Sequence, residues 1–241
     1  MKNSYFAFRQ FTVHQERCAM KVGTDGTLLG AWAVESDKKP RLILDVGTGT
    51  GLIALMMAQR FPDARVVGID IDADAVLQAQ ENVAASPFAD RITILQQDFS
   101  SLNTHHSTLN TRFSSLVCNP PFFTQSLPCP DNKRTMARHD NTLSYRTLAT
   151  NAWPLLSDDG ELNVIVPADQ QSRMDEEAIL AGFSLCRECK VSTAPGKAPK
   201  RVLLTYRKHP AVLQRQKLTI GSAEYHELTK DFYHEDYHSA D

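Results

Sequence analysis

The stretch Asp45-Val-Gly47-Thr-Gly49-Thr-Gly51 constrains this chain more than any other feature. It lies between an apolar run, Arg41–Val46, and a helix-spaced run, Gly51–Phe61. Glycines at alternate positions let a backbone turn sharply and approach a ligand without side-chain interference. The helix that follows presents free N–H groups to whatever the turn holds. Arg65–Asp70 is a second strand, and its terminal Asp70 falls about 20 residues on, where an acid commonly accepts hydrogen bonds from ribose hydroxyls. The pattern predicts an adenosine-type cofactor on a Rossmann-like sheet, with Asp45, Gly47, Gly49, Gly51 and Asp70 at the site. The spacing is Gly-x-Gly-x-Gly, whereas nicotinamide dinucleotide binders show Gly-x-Gly-x-x-Gly.

The rest of the core repeats strand and helix. We expect strands at Arg91–Leu95, Phe113–Cys118, Glu161–Pro167, Phe183–Val191 and Val202–Arg207. Helices are expected at Asp74–Ala84, Thr142–Leu156 and Asp169–Ala181, the last capped by Asp169 and closed by Gly182. Ser100–Thr111, rich in Ser, Thr, Asn and His, reads as a loop or an imperfect helix. This alternation predicts an α/β fold: a mixed seven-stranded sheet, mostly parallel with the last strand antiparallel, and helices on both faces. We read one domain, with 1–38 as an extension over the site, 39–208 as the core and 209–241 as a C-terminal extension.

Two further segments carry chemistry. Gln97-Asp98-Phe99 follows the third strand, so Asp98 could receive an adenine amino group with Phe99 beside the ring. Asn119-Pro120-Pro121-Phe122 ends the fourth strand, stopped by two prolines that cannot donate to a ladder. An amino group conjugated with an aromatic ring is a poor nucleophile, because its lone pair is delocalised. The Asn119 side-chain oxygen and the Pro120 carbonyl can each accept one amino proton and aim the lone pair out of the ring plane, toward a sulfonium methyl. Prolines stiffen the turn, and Phe122 supplies a face for an extruded base.

Asp45–Gly51, Asp70, Asp98 and Asn119–Phe122, in that order, resemble a class I S-adenosylmethionine-dependent N-methyltransferase. The resemblance extends beyond that core. Phe11–Trp32, Arg134 with Ala137-Arg138, Arg201-Val-Leu-Leu and the tail Tyr225 to Tyr233 are similar to the bacterial valine-tRNA adenine-37 N6-methyltransferases. This implies methylation of the adenine 3′ of the anticodon, with S-adenosylmethionine as cofactor. An rRNA adenine or a protein glutamine side chain stays open as acceptor, since the same turn serves both. The family usually carries Tyr where this chain has Phe122, which keeps the stacking face and loses a phenol hydrogen bond. Within Lys21-Val-Gly23-Thr24-Asp25-Gly26, Thr24 could cap a helix whose N-terminus meets a carboxylate or phosphate.

Composition narrows the setting. The 241 residues carry 26 Lys and Arg against 28 Asp and Glu, for a net charge of −2. Charged residues at 22% and hydrophobic ones at 42% suit a folded globule. No apolar run approaches a membrane span, no signal peptide is evident, and five cysteines form no disulfide framework, so a cytoplasmic monomer is expected. No metal is expected: Cys186-x-x-Cys189 lacks a second pair, and His226, His234 and His238 read as a solvated tail. Between Arg187 and Lys217 nine basic residues face one acid, Glu188. That band, with Arg134 and Arg138, is the expected contact for an anticodon stem-loop.

Overall fold

The computed structural model describes residues 4–18, 20–102, 112–121 and 143–234. Phe122, Arg134, Arg138 and His238, and most of Ser100–Thr111, lie outside the described residues.

An N-terminal hairpin, β1 (Tyr5–Ala7) and β2 (Thr12–His14), leads into α1 (Thr24–Trp32). Then follow β3 (Leu42–Val46), α2 (Leu52–Arg60), β4 (Arg65–Asp70), α3 (Ala73–Ala84) and β5 (Ile92–Gln96). Beyond them come β6 (Phe113–Cys118), α4 (Tyr145–Leu155), β7 (Leu156–Pro167) and α5 (Gln171–Leu180). The chain ends in β8 (Ser184–Ser192), β9 (Arg201–Arg207), β10 (Gln214–Thr219) and α6 (Ala223–Thr229).

Among the described residues the main sheet has eight strands in the order β10-β8-β9-β7-β6-β3-β4-β5. Only β9 runs against its neighbours β7 and β8. The expected count of seven missed β10, which adds parallel to β8. Its sequence, QRQKLT, gave no apolar alternation, because at a sheet edge only Leu218 is buried. Helix starts also move. The α3 helix begins one residue earlier than expected, at Ala73, capped by Asp72, which accepts from the Asp74 amide at 2.9 Å. A 3-10 turn at Ala168–Gln170 takes up Asp169, so α5 begins at Gln171 without a side-chain cap.

Alternation along each strand divides the core between the faces of the sheet. Ile43, Val66, Ile94, Val117 and Leu203 pack under α1, α2 and α3. Leu44, Ile69, Leu116, Val164 and Leu204 pack under α4 and α5. The two ends of the chain meet on the first face. Phe8 stacks on Phe11 at 4.9 Å and on Tyr233 at 5.9 Å, and the Arg9 amide donates to the Phe232 carbonyl at 2.8 Å. Arg60 closes the C-terminal end of α1, donating to the carbonyls of Gly30, Ala33 and Val34. No helix among the described residues is long and apolar enough to cross a membrane.

The basic band comes apart in the fold. Arg187 is buried, with its guanidinium 4.1 Å from the centre of the Trp32 ring and 3.9 Å from Glu35. Arg207 is bonded to Glu161, and Lys208 donates to the Leu156 carbonyl at 2.7 Å. These three serve packing, so the band is not one continuous contact surface.

Candidate active site

The parallel strands end together at one edge of the sheet, and a cavity of about 720 Å³ opens there. The glycine turn forms its floor. Gly47, Gly49 and Gly51 have φ of 69°, 54° and 82°, a region closed to most side chains. The turn is tied down by the Gly47 and Thr48 amides, both donating to the Ile69 carbonyl at 2.9 Å. Gly47 and Gly49 line the cavity, whereas Gly51 sits behind it as the N-cap of α2, facing Ala79.

Asp45 does not reach the cavity. It is fully buried beneath the turn, where one carboxyl oxygen accepts from the Thr48 hydroxyl at 2.6 Å and the Ala54 amide at 3.1 Å. The other oxygen has no partner among the described residues. Burial pushes the Asp45 carboxyl up to about 7, opposed by those two hydrogen bonds and reinforced by Asp70. Asp45 therefore shapes the turn and does not line the cavity.

Asp70 lines the cavity with both oxygens oriented: Oδ2 accepts from the Gly49 amide at 2.9 Å and Oδ1 from the Asp72 amide at 3.0 Å. Each keeps a lone pair for a ligand hydroxyl. Asp98 also lines it, with its carboxyl oxygens accepting from the Ser100 amide at 2.8 Å and hydroxyl at 2.7 Å. Phe99 is buried at the cavity's inner wall and packs with the α4 side of the core, so little of its ring is free to stack.

At the end of β6, Asn119, Pro120 and Pro121 line the cavity. Asn119 Oδ1 is buried and has no hydrogen-bond partner among the described residues. A buried acceptor left alone costs roughly 1–3 kcal/mol, so one on a residue that lines a cavity marks a place for a donor.

The remaining wall comes from the N-terminal strap. Cys18, Met20, Lys21 and Val22 to Gly26 line the cavity. Side-chain amides hold the strap in place. Asn82 of α3 accepts from the His14 amide at 2.9 Å, and it donates to the carbonyls of His14 at 2.8 Å and Thr50 at 2.9 Å. Gln15 accepts from the Val22 amide at 2.8 Å. Gly23, not Thr24, is the N-cap of α1, with no side-chain cap. Sequence reasoning missed Ile71, which lines the cavity beside Asp70 although 49% exposed. An apolar residue just past a strand's terminal acid was its only signal. Asn82 gave none, since an amide in mid-helix reads as a solvated face.

Comparison with known proteins agrees with this geometry. The family model for the methyltransferase small domain matches residues 25–190. The tRNA1(Val) (adenine(37)-N6)-methyltransferase of Phocaeicola vulgatus is 49% identical over 239 residues, covering 97% of this chain and 99% of that protein. Its namesake from Bacteroides thetaiotaomicron is 44% identical over 240 residues, covering 97% and 98%. Among solved structures, a predicted O-methyltransferase from Agrobacterium tumefaciens superposes with a TM-score of 0.63 at 18% identity, covering 86% of this chain and 96% of that one. The ribosomal protein L11 methylase of Lactobacillus delbrueckii gives 0.52 at 18%, covering 76% and 77%. At such identities these structures establish the fold alone. The chain belongs to the methyltransferase small domain family and, within it, to the tRNA1(Val) (adenine(37)-N6)-methyltransferases.

Proposed function

We propose that the chain transfers a methyl group from S-adenosylmethionine to N6 of adenine 37 in the anticodon loop of a valine tRNA. The names of its relatives support the substrate. The observation that carries the chemistry is Asn119, a cavity-lining residue whose buried Oδ1 has no hydrogen-bond partner among the described residues. The cofactor supplies an electrophilic methyl on a sulfonium; everything else is positioning by the protein. Asp70, its oxygens fixed by the Gly49 and Asp72 amides, accepts from the ribose hydroxyls. Asp98 faces the cofactor's adenine and Ile71 gives that ring an apolar surface.

On the acceptor side, Asn119 Oδ1 and the Pro120 carbonyl each hold one N6 proton. The lone pair then leaves conjugation and stands in line with the methyl. Pro120 and Pro121 fix this pair of oxygens before substrate arrives. Phe122 completes the turn by stacking the extruded base. No strong base is needed, because the nitrogen becomes acidic once alkylated and releases its proton to water. On this reading the enzyme works in the cytoplasm.

Purified protein, labelled cofactor and separate pools of tRNA, rRNA and protein test the assignment. We expect label in tRNA alone, at the nucleotide 3′ of the anticodon. Label in rRNA or protein instead would replace the acceptor, and undiminished transfer by Asn119→Ala would refute the mechanism.

A further inference from the structure

Sheet polarity sorts the surface charges in a way the sequence order conceals. Because β9 is antiparallel to both β7 and β8, β8 points the same way as β7, β6 and β3. The β8–β9 loop, residues 193–200, therefore lies on the edge that carries Asn119. On the other side of Asn119, the ends of β4 and β5 and the start of α3 bring Asp70, Asp72, Asp74 and Asp98. That half of the edge is acidic, which suits a cationic ligand and repels a polyanion. On the β8–β9 half, Lys197 and Lys200 are exposed. On the same half of the edge, Asp25 is held by Arg201 at 2.8 Å, and Asp169 follows the end of β7.

The loop is built rather than loose. The Lys200 amide donates to the Val191 carbonyl at 2.8 Å, and the Lys200 carbonyl accepts from the Ala168 amide at 3.1 Å. The Ser192 hydroxyl donates to the Lys197 carbonyl at 3.0 Å. Neighbouring strands lie about 4.8 Å apart, so the start of β9 and the end of β8 lie roughly 10–14 Å along the edge from Asn119. That is the reach of a few nucleotides from a base extruded into the turn.

We infer that Lys197 and Lys200 form the phosphate-docking surface for the acceptor RNA, whose backbone crosses the end of β7, the start of β9 and the end of β8 and avoids the ends of β4 and β5. This rests on the RNA reading above and adds direction to it. Fixed by charge at one end, the strand can present its base to Asn119 in only one orientation.

The test compares K197E/K200E with K38E/K39E, an equal change of charge at exposed residues preceding β3 on the opposite edge. KM for tRNA is measured from 50 to 200 mM salt, with cofactor KM and melting temperature as controls. Each lost phosphate contact lowers the slope of log KM against log salt by about 1, so the first pair should lower it by about 2 and raise KM about tenfold or more. The second pair should change neither. Equal effects from both pairs, or an unchanged slope in the first, would overturn the docking surface while leaving tRNA as substrate. A wild-type enzyme that labels no RNA would remove both.

Discussion

Replacing Asp45 with asparagine would remove a charge that the fold holds away from solvent. The carboxyl titrates at about 7 in the folded chain against an ordinary value of 3.8. The folded state thus binds this proton more tightly than the unfolded state. Below about pH 4 both states are protonated. As pH rises from there, only the unfolded state releases the proton readily, so this group lowers stability until the folded carboxyl also ionises near 7. One pKa unit is worth about 1.4 kcal/mol, and integration between pH 5 and 8 gives a loss on the order of 2–3 kcal/mol. Asparagine can keep its oxygen on the Thr48 hydroxyl and the Ala54 amide, placing its NH2 where Oδ1 has no partner. Urea unfolding at pH 5, 6, 7 and 8, with the m-value held constant, isolates the effect. Asp45→Asn should gain about 2–3 kcal/mol on wild type from the acid to the alkaline end. Parallel stability profiles for the two proteins would show that the carboxyl ionises without cost, and the desolvation argument would fail.

Other substitutions separate ligand contact from scaffold. At Gly49 an added Cβ meets nothing closer than 4.0 Å, so Gly49→Ala should cost only about 1 kcal/mol of backbone strain while weakening S-adenosylhomocysteine binding at least tenfold by calorimetry. Gly51→Ala places its Cβ 3.3 Å from the Ala79 Cβ and should show the reverse, a lower melting temperature at each ligand concentration. Asn82→Leu removes all three bonds that tie the strap to the glycine turn. It should destabilise by roughly 2–4 kcal/mol and expose the His14 amide to rapid hydrogen exchange. Burial pushes the Cys186 and Cys189 thiols up to about 11, so both should resist alkylation at pH 8 until denaturant is added.

Much of the cavity lining was legible because it is written in backbone-restricting residues. Alternate glycines and paired prolines have few structural uses, and each stands next to a strand whose end must face the crevice. Asp70 and Asn119 could be placed for the same reason. Asp45 belonged to the same motif yet turned inward, since alternation along β3 sends Leu44 to one face of the sheet and leaves no room to tell a carboxyl that lines a cavity from one that underlies it. β10 was invisible because a polar edge strand owes its place to the Trp32–Gln216 hydrogen bond and to pairing with β8, neither of which has a local pattern. The basic band misled for a related reason. Charge counted along the sequence ignores which residues a strand buries, and Arg187 lies under Trp32 while Lys197 and Lys200 stand clear.

The role proposed for Asn119 separates catalysis from stability in a form that can be measured. Its Oδ1 has no protein partner among the described residues, so no hydrogen bond of the fold depends on it. Truncation to alanine removes that oxygen, and the space it vacates adjoins a cavity already open, so little packing is lost. Asn119→Ala should therefore melt at the wild-type temperature or a few degrees above it, while transferring no methyl. Asn119→Asp makes the complementary case: it keeps both acceptors but places a second buried carboxyl on the edge beside Asp45, and should be less stable at pH 8 than at pH 5. Differential scanning fluorimetry with a transfer assay on the same preparations reads both quantities. If Asn119→Ala instead lost more than about 2 kcal/mol, the oxygen would be holding the fold, and its readiness for a substrate amino group would no longer follow from its missing partner.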